Sequence, residues 1–475
     1  MDNLKTILSQ DEGHHIEFKD GRDKIPLSFY ETYSAFANTR GGVIYLGIEE
    51  APKHQFRVVG VENAKQKRKQ LFDALNNKDK ISARLSNEED IQIYNTQEGD
   101  VIRVIVHEAS RMQKPVFLNG DVSNSFFRND SGDHIMSEEK IHSLINDKSD
   151  VRYDQMPNKY GLGTNDLDQE SLNNFIQSIK LANKIPLTIS LDVDTILQRV
   201  GAFARDEKTG ERVLNNGAIL FLGKTSDVNA IAPSLWLDYS YFHNSGDRWS
   251  DRVTNKDLVC EGNIFQFYMR SVDKAVSNSP SPYYVESTVD TGKAKVEEMI
   301  REAFANAISN LDLFDQAGLK VGQTNNEIVL TNAGTMLVPL ENALLGGESR
   351  PRNPSIFSFF QALGVSDHGG YGIPLIFDAA NLLGFIPPQI MESKEDNKTT
   401  LRIFFRKKQK AISETEQKIV EALSNNKDGL SVAELSTKCN IGRDKTRRIV
   451  ESLCAIGILK DNGKVSKGKK YILVL

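Results

Sequence analysis

The chain is poor in cysteine and has no long apolar run. Its 475 residues include only Cys260, Cys439 and Cys454, which are too scattered for a disulfide framework or a CxxC zinc site. No apolar stretch approaches the roughly 18 residues of a membrane span, and the opening MDNLKTILSQDEG does not have the pattern of a secretory signal. We therefore expect a cytoplasmic protein with reduced cysteines.

An excess of positive charge is also missing, which argues against a uniformly basic coat for nucleic acid. The formal net charge is −5. The charge is uneven, however, because the segment from Lys438 to Leu475 contains ten basic and three acidic residues, a local charge of +7. A basic end on an acidic body indicates a local module that binds a polyanion.

The length predicts about three domains, and a composition of 39% hydrophobic and 26% charged residues is normal for a globular protein. We predict an α+β multidomain fold with units at residues 1–150, 151–406 and 413–475. Tyr153–Tyr160 is predicted to be a linker, and the basic stretch Lys407–Ser413 a hinge.

The most specific motif lies near the start, where residues 12–48 read EGHHIEFKDGRDKIPLSFYETYSAFANTRGGVIYLGI. Glu12 and Glu17 bracket a short run that Lys19 follows. A helix then ends in Asn-Thr-Arg-Gly-Gly, and Val43–Ile48 is typical of a buried strand. By spacing alone this is an ordinary helix–turn–strand corner with two glycines at the turn.

The full string resembles the Schlafen and AlbA-like group, whose pattern is E-S-x-x-x-E-F-K followed by A-F-A-N-T-x-G-G-x-x-x-I-G-V-D-D. Strands predicted at 91–94 and 101–106 and a hairpin around Asn119-Gly120 also fit this group, in which a P-V-[FY] strand precedes a [FY]-x-R strand. A helix starting at Ser137 closes the unit. The resemblance implies an α+β domain that handles nucleic acid, either as a binding module or as a ribonuclease.

The resemblance to the Schlafen-type ribonucleases also implies a carboxylate site. Its three acids correspond here to Glu12, Glu17 and Glu50, which together could hold Mg²⁺ or Mn²⁺ and polarise a phosphodiester. Lys19 would offset the charge of the substrate. Glu50 stands where the ribonucleases have Asp, so its carboxylate lies one methylene further out. The alternative for this box is a binding or folding element without cleavage.

The central unit shows one candidate pair of functional residues. Its predicted elements are helices at 169–182 and about 192–200, strands at Ala218–Gly223 and Leu235–Tyr239, and long helices near 257–277 and 293–309. In the last of these helices, Glu302 and Asn306 are four residues apart and share a face. A carboxylate can activate water, and an amide oxygen can hold Mg²⁺. Alone, such a pair is most often a solvated helix face.

The motifs around this pair, over about 180–406, resemble the ATP-binding domain of the gyrase, histidine-kinase and MutL type, in the divergent form found in bacterial AlbA-like regulators. The family pattern is E-A-x-x-N-A on a helix, then N-P-G, R-N-P and G-x-G-I. The corresponding strings here are, in the same order, REAFANAI, TNAG, RNP and HGGYGI, and AILFLGK belongs to the same stretch. The resemblance implies the following roles: Glu302 as general base, Asn306 as Mg²⁺ ligand, Asn332 and Gly334 beside the base or ribose, and Gly370 and Gly372 near the phosphates. The usual continuation N-A-[LI]-x-H-R-D-Y is absent and NPG has become NAG, so the sequence favours ATP binding over hydrolysis.

The C-terminal unit has the pattern of a winged helix-turn-helix. Helices at 414–423, after the capping-box residue Ser431 and at 443–456 precede a two-stranded wing. Together with Lys19, the predicted nucleic-acid contacts are Arg443, Lys445, Arg447, Arg448, Lys467 and Lys469. The alternative is a solvated basic face on a dimerisation domain.

These inferences predict a bacterial, RecG-like regulator of transcription or stress responses that binds ATP and DNA or RNA, and that forms a homodimer or a higher homo-oligomer. The alternative is an effector enzyme of an antiphage or toxin system, in which ATP gates a metal-dependent nuclease. A third reading is a degenerate ATP-binding scaffold with a role in assembly. ATP hydrolysis and nucleic-acid cleavage are left open by the sequence.

Overall fold

The computed structural model describes residues 15–51, 55–129, 132–182, 191–206, 208–243, 248–282, 285–286, 289–366, 369–406, 414–424, 426, 429–455, 459–462 and 469–473. The chain is a mixed α+β protein that divides into two compact units, residues 1–405 and 406–475. Among the helices so described, none is both long and apolar enough to cross a bilayer.

The N-terminal part of the first unit is built on a four-stranded mixed sheet. Its elements are β1 Ile16–Lys19, α1 Leu27–Asn38, β2 Gly42–Leu46, β3 Ile48–Ala51, β4 Gln55–Val58, α2 Ala64–Leu75, β5 Ile91–Asn95, β6 Asp100–Val106, β7 Phe117–Leu118, β8 Asp121–Asn129, β9 Gly132–Ile135 and α3 Glu138–Lys148. The sheet order is β1-β2-β6-β5, with β1 parallel to β2 and the other pairs antiparallel. The predicted strand pair, the hairpin around Asn119-Gly120 and the helix after Ser137 are confirmed.

The string Ala-Phe-Ala-Asn-Thr at the end of α1 has a structural role. The amide of Asn38 donates to the carbonyl oxygens of Val116 (2.8 Å) and Phe126 (2.9 Å), and its Oδ1 accepts from the Val116 N–H (2.7 Å). Gly41 follows with φ of +72°, and a Cβ there would lie 2.7 Å from the carbonyl oxygen of Val106. The motif therefore joins the helix to the β7–β8 hairpin and allows the chain to turn into β2.

The central part is an α/β layer structure around a six-stranded sheet. Its elements are α4 Gln169–Leu181, α5 Val193–Val200, β10 Phe203–Arg205, β11 Arg212–Leu214, α6 Asn216–Leu222, α7 Thr225–Ile231, β12 Leu237–Tyr241, β13 Asp251–Thr254, α8 Ile264–Ser277, β14 Val285–Glu286, β15 Val289–Asp290, α9 Gly292–Ser309, β16 Leu319–Gln323, β17 Glu327–Ala333, α10 Leu340–Leu345, α11 Pro354–Ala362, α12 Gly372–Leu382, β18 Gln389–Ser393 and β19 Lys398–Phe404. The sheet order is β13-β12-β16-β17-β19-β18, and only the β12–β16 pair is parallel among these strands. Helix α9 packs on this sheet, where Phe304 meets Tyr239 with ring centroids 6.3 Å apart.

Residues 218–223 were predicted to form a strand, and this prediction is wrong. Residues 216–222 form helix α6, whose residues are all buried and whose N-terminus is capped by the side chain of Asn215, which accepts from the Ala218 N–H (2.8 Å). A helix buried on all sides has no polar face, so a short apolar run does not distinguish it from a buried strand. The helix predicted near 257–277 begins only at Ile264.

The predicted linker Tyr153–Tyr160 is packed against the central helices. Asp154 is buried, and its Oδ2 accepts hydrogen bonds from the backbone N–H groups of Ser355 (2.7 Å) and Ile356 (3.0 Å) at the start of α11. Burial raises the pKa of Asp154 to about 7. This connection is therefore part of the folded structure.

The second unit contains three helices followed by a two-stranded antiparallel sheet. Its elements are α13 Glu414–Ser424, α14 Val432–Cys439, α15 Arg443–Ala455, β20 Leu459–Asp461 and β21 Tyr471–Leu473. The capping box of α14 is confirmed, since Ser431 and Glu434 exchange side-chain to backbone hydrogen bonds. The predicted hinge 407–413 lies outside the described residues.

Candidate functional site: a cavity at helix α9 and two charged surfaces

Helix α9 presents Glu302 and Asn306 to one cavity, one helical turn apart. The Asn306 side-chain amide donates to Glu302 Oε1 (2.8 Å) and to the Glu302 carbonyl oxygen (3.0 Å). These bonds hold the NH₂ group of Asn306 on the Glu302 side, so its carbonyl oxygen Oδ1 is the atom that a cation could bind.

Ser366, which the sequence analysis did not single out, fixes the Glu302 carboxylate from the other side. Its backbone N–H donates to Glu302 Oε2 (2.9 Å) and its hydroxyl to Oε1 (3.0 Å). Burial raises the pKa of Glu302, while the hydrogen bonds from Ser366 and Asn306 oppose that rise. Nothing in the local sequence signals this contact, because 64 residues separate the two partners.

The N-terminus of α12 closes against the same pair. A Cβ at Gly372 would lie 2.1 Å from Glu302 Oε1 and 2.7 Å from the Asn306 amide nitrogen, so only glycine allows this approach. Gly370 has φ of +70°, and a Cβ there would lie 2.4 Å from the carbonyl oxygen of Glu348. A helix N-terminus carries partial positive charge and unpaired N–H groups, which suit a phosphate.

The end of strand β17 contributes one of its two predicted residues to the cavity. Asn332 is nearly buried and lines the cavity. Gly334 does not line it. Its φ is +104°, and a Cβ there would lie 1.8 Å from Nη1 of Arg352. Gly334 therefore leaves room for the Arg352 side chain, and its place beside the base or ribose stays a prediction.

Five predicted residues thus meet at one cavity: Glu302, Asn306, Asn332, Gly370 and Gly372. Asn310, Arg350 and Ser366 also line it and were not predicted. ATP with Mg²⁺ fits this donor set, because a glycine cradle at a helix N-terminus, an oriented amide oxygen and a buried carboxylate stand together.

The N-terminal carboxylates are arranged differently. Glu17 on β1 is buried, and its Oε2 accepts from Nη2 of Arg128 (2.6 Å), whose Nη1 donates to Asp133 (2.8 Å). Lys19 forms an ion pair with Glu17 Oε1. The two cations beside Glu17 are therefore both paired with protein carboxylates, and the contact of Lys19 with a substrate stays a prediction.

Glu50 belongs to the separate two-stranded sheet β3–β4, whereas Glu17 lies in the four-stranded sheet. Glu50 lies on β3 directly opposite Phe56 of β4, and the ring of Phe56 packs on Phe18 at 4.5 Å. Residues directly opposite each other in a strand pair point to the same face, so Glu50 shares with Phe56 one face of the β3–β4 pair. The convergence of Glu50 with Glu17 stays a prediction. Glu12 lies outside the described residues. Within the described part of the chain, no group of three His, Cys, Asp or Glu side chains could hold a metal ion.

The predicted basic residues of α15 form an exposed face. Arg443, Lys445, Arg447 and Arg448 are exposed, whereas Thr446, Val450 and Leu453 of the same helix are buried. Lys469 is paired with Asp461 (2.9 Å), and the hydrogen bond to that carboxylate raises the pKa of Lys469. Lys467 lies outside the described residues.

Comparisons with known proteins identify three segments. Residues 12–137 match the family described as "Schlafen, AlbA_2", residues 142–238 a "Domain of unknown function (DUF8451)", and residues 317–403 "Putative ATP-dependent DNA helicase recG C-terminal". The chain therefore carries a Schlafen AlbA_2 domain and a domain of the RecG C-terminal type. Helix α9, which bears Glu302 and Asn306, lies between the matched segments.

Two solved structures show weak similarity. The crystal structure of the DIP2311 protein from Corynebacterium diphtheriae is 14% identical, with 100% of this chain and 99% of that chain covered and a TM-score of 0.42. The solution structure of the N-terminal domain of a "Putative ATP-dependent DNA Helicase RecG-related Protein" from Nitrosomonas europaea is 22% identical, with 29% and 94% covered and a TM-score of 0.21. TM-scores this low establish no common fold. No curated protein matches the chain.

Proposed function

We propose that the protein binds ATP with Mg²⁺ in the cavity at α9, that it binds nucleic acid, and that the nucleotide controls the nucleic-acid binding. The matches to the AlbA_2 and RecG C-terminal families support this combination. The observation that carries the proposal is the meeting of Glu302, Asn306 and the N-terminus of α12 at one cavity.

Each residue of the cavity has a distinct role in this proposal. Asn306 Oδ1 ligates Mg²⁺, and the N-terminus of α12 at Gly372 receives the phosphates. Bound Mg²⁺ would neutralise phosphate charge. Glu302 keeps Asn306 in orientation and is the group that would accept a proton from attacking water. Since its carboxylate already accepts three hydrogen bonds, nucleotide binding is the proposal and turnover is the part still to be measured.

Isothermal titration with ATP in the presence and absence of Mg²⁺ tests the nucleotide site. We expect binding by the wild-type chain, a loss of Mg²⁺ dependence in Asn306→Ala, and no binding by Gly372→Ala, because the new Cβ displaces Glu302 and Asn306. Gly163→Ala is the matched control, since a Cβ there meets nothing within 4 Å. Absence of heat and of a thermal shift with the wild type would contradict the proposal.

The nucleic-acid half of the proposal rests on the exposed basic face of α15, in a unit with the element order of a winged helix. Charge reversal of Arg443, Arg447 and Arg448 should weaken binding of duplex DNA or RNA and reduce its salt dependence, because fewer phosphate counterions are then released. Mobility shifts over a salt series measure both. Adding ATP or ADP to the same assay tests whether the nucleotide controls nucleic-acid binding. Identical affinity for nucleic acid with ATP, with ADP and without nucleotide would contradict this control. Unchanged binding in the triple variant would leave α15 as a solvated face.

A further inference from the structure

The motif RNP, residues 352–354, binds the C-terminal end of helix α9. Nη1 of Arg352 donates to the carbonyl oxygen of Asn310 (3.1 Å), and the backbone N–H of Asn353 donates to the carbonyl oxygen of Ser309 (2.9 Å). The last carbonyl groups of a helix have no partner within the helix. The motif supplies such partners and thereby fixes where α9 ends.

The guanidinium group of Arg352 connects this helix end to two other elements. Its Nη2 donates to the carbonyl oxygen of Thr335 (3.1 Å), shortly after β17. Its Nε and Nη2 also donate to the two carboxylate oxygens of Asp147 (2.7 and 2.8 Å), at the end of α3. Arg352 is 1% exposed. All three nitrogens are therefore engaged, in a place where water does not compete for them.

Two of the partners of Arg352 line the cavity at α9, namely Asn310 and Thr335. The side-chain amide of Asn310 donates in turn to the carbonyl oxygen of Asn306 (3.0 Å), whose Oδ1 is the proposed Mg²⁺ ligand. A Cβ at Gly334 would lie 1.8 Å from Nη1 of Arg352, so only glycine leaves the guanidinium group this position. Arg352 therefore acts on the cavity through residues of its wall.

Asp147 is the carboxylate that forms hydrogen bonds with Arg352. Burial by itself would lower the pKa of Arg352, but the charges of Asp147, Asp312 and Glu392 hold it above its usual value. Asp312 and Glu392 accept hydrogen bonds from other groups, and neither bonds to Arg352 in the described part of the chain. Their charges lessen the cost of losing the Asp147 carboxylate, but they do not replace its two bonds.

We infer that Arg352, held by Asp147, is a positioning residue of the nucleotide site, so that docking of α3 and binding of Mg·ATP strengthen each other. This inference rests on the proposed function. Helix α3 closes the N-terminal part, and its carboxylate fixes the guanidinium group that orients Asn310 and Thr335. If docked α3 raises the affinity for ATP, then bound ATP stabilises docked α3 by the same factor. The N-terminal part thereby responds to a nucleotide that its described residues do not contact.

Isothermal titration of the full-length protein with Mg·ATP tests the positioning role. Asp147→Asn keeps the size of the side chain and removes its charge, and we expect ATP affinity to fall on the order of tenfold. Ser143→Ala is the matched control, because Ser143 lies on the same helix and bonds to Asp312. It should leave ATP affinity within about twofold, since it shares no hydrogen bond with Arg352. Circular dichroism establishes that each variant is folded at the temperature of the titration.

Hydrogen exchange of the wild type tests the reciprocal effect without any substitution. With saturating Mg·ATP, the backbone N–H groups of α3 should exchange more slowly, because bound nucleotide opposes the undocking of this helix. Helix α2, which packs on β5 and β6 within the N-terminal part, is the internal control and should change less. In folded Asp147→Asn the slowing of α3 should be lost.

The outcomes separate the inference from the proposal beneath it. A wild type that binds no Mg·ATP contradicts the proposed function itself. Where the wild type binds, unchanged affinity in folded Asp147→Asn overturns the inference, and so does an equal loss in Ser143→Ala. If Asp147→Asn does not fold, the exchange of the wild type decides. Slowing of α3 beyond that of α2 supports the inference, and equal or no slowing overturns it.

Discussion

The two glutamates singled out in short sequence motifs, Glu302 and Glu17, have opposite environments. Glu302 accepts hydrogen bonds from the neutral groups of Ser366 and Asn306 at a cavity, beside a helix N-terminus that only glycine could place there. Glu17 is enclosed by the cations Arg128 and Lys19 in the N-terminal part. A carboxylate held by neutral donors at a cavity keeps capacity for a ligand, whereas one neutralised by a buried arginine and a partly exposed lysine stabilises the fold first.

The comparison assigns different consequences to mutation at the two sites. Changes at Glu17 should act first on stability, because they remove one of the carboxylates that the buried Arg128 binds. Changes around Glu302 should act first on ligand binding and on the pH dependence of stability. Substitutions at both sites test this difference.

Glu17→Ala should have the largest effect. Arg128 is 1% exposed, and removal of one partner from a buried ion pair costs up to about 3–5 kcal/mol of unfolding free energy. Asp133 still binds Arg128 in this variant, so the loss should lie at or below the lower end of that range. Urea denaturation measures the change. Glu50→Ala, at an exposed position on β3, is the comparison variant and should cost no more than about 1 kcal/mol, the range for an exposed ion pair.

The same pair of variants tests the nuclease alternative. Incubation of the wild type with tRNA and Mn²⁺ should give no cleavage if the box is structural. Metal-dependent cleavage that disappears in Glu17→Ala while the unfolding free energy stays unchanged would contradict the contrast drawn between the two glutamates, and would make the box a catalytic site.

Glu302 should make stability fall as pH rises. Burial raises its pKa in the folded protein above the ordinary value of 4.5. In the window between 4.5 and the raised pKa, the folded state therefore holds a proton that the unfolded chain has lost. Stability gained from this proton is fully present below that window and is lost through it, by at most about 1.4 kcal/mol per pH unit.

Glu302→Gln should remove this decline, since glutamine does not titrate. The measurement is the unfolding free energy of both proteins at several pH values from 4 upward. A wild-type curve with the same slope as that of Glu302→Gln would show that the carboxylate is ionised throughout and that its hydrogen bonds outweigh its burial.

Local patterns in the sequence predicted much of the fold and some of the residues that line the cavity at α9. The four-residue spacing placed Glu302 and Asn306 on one face of α9, and the Ser431–Glu434 capping box predicted the start of α14. Residues 218–223 were wrongly predicted to form a strand, because a helix buried on all sides shows no hydrophobic periodicity that distinguishes it from a buried strand.

The remaining contacts could not be predicted because they join residues that are distant in sequence. Ser366 and Glu302, or Arg352 and Asp147 across 205 positions, are brought together by tertiary packing alone. The motif around Glu17 resembled that of the ribonucleases, but the motif does not contain Arg128, which lies 111 positions away and determines what the carboxylate does.

Ser366→Ala should have the smallest effect on stability, and it is the most specific test of the Glu302 environment. The variant deletes the hydroxyl that donates to Glu302 Oε1 and keeps the backbone N–H that donates to Oε2, so the loss of stability should be about 0.5–1.5 kcal/mol. Because Glu302 in turn holds Asn306, we expect a measurable loss of Mg²⁺-dependent ATP affinity alongside this small loss of stability. Ser358→Ala is the control, since its hydroxyl bonds only within α11, to the Pro354 carbonyl oxygen. Equal effects of Ser366→Ala and Ser358→Ala on nucleotide affinity would mean that the hydrogen bonds around Glu302 do not support ligand binding, and that Glu302, like Glu17, acts on stability first.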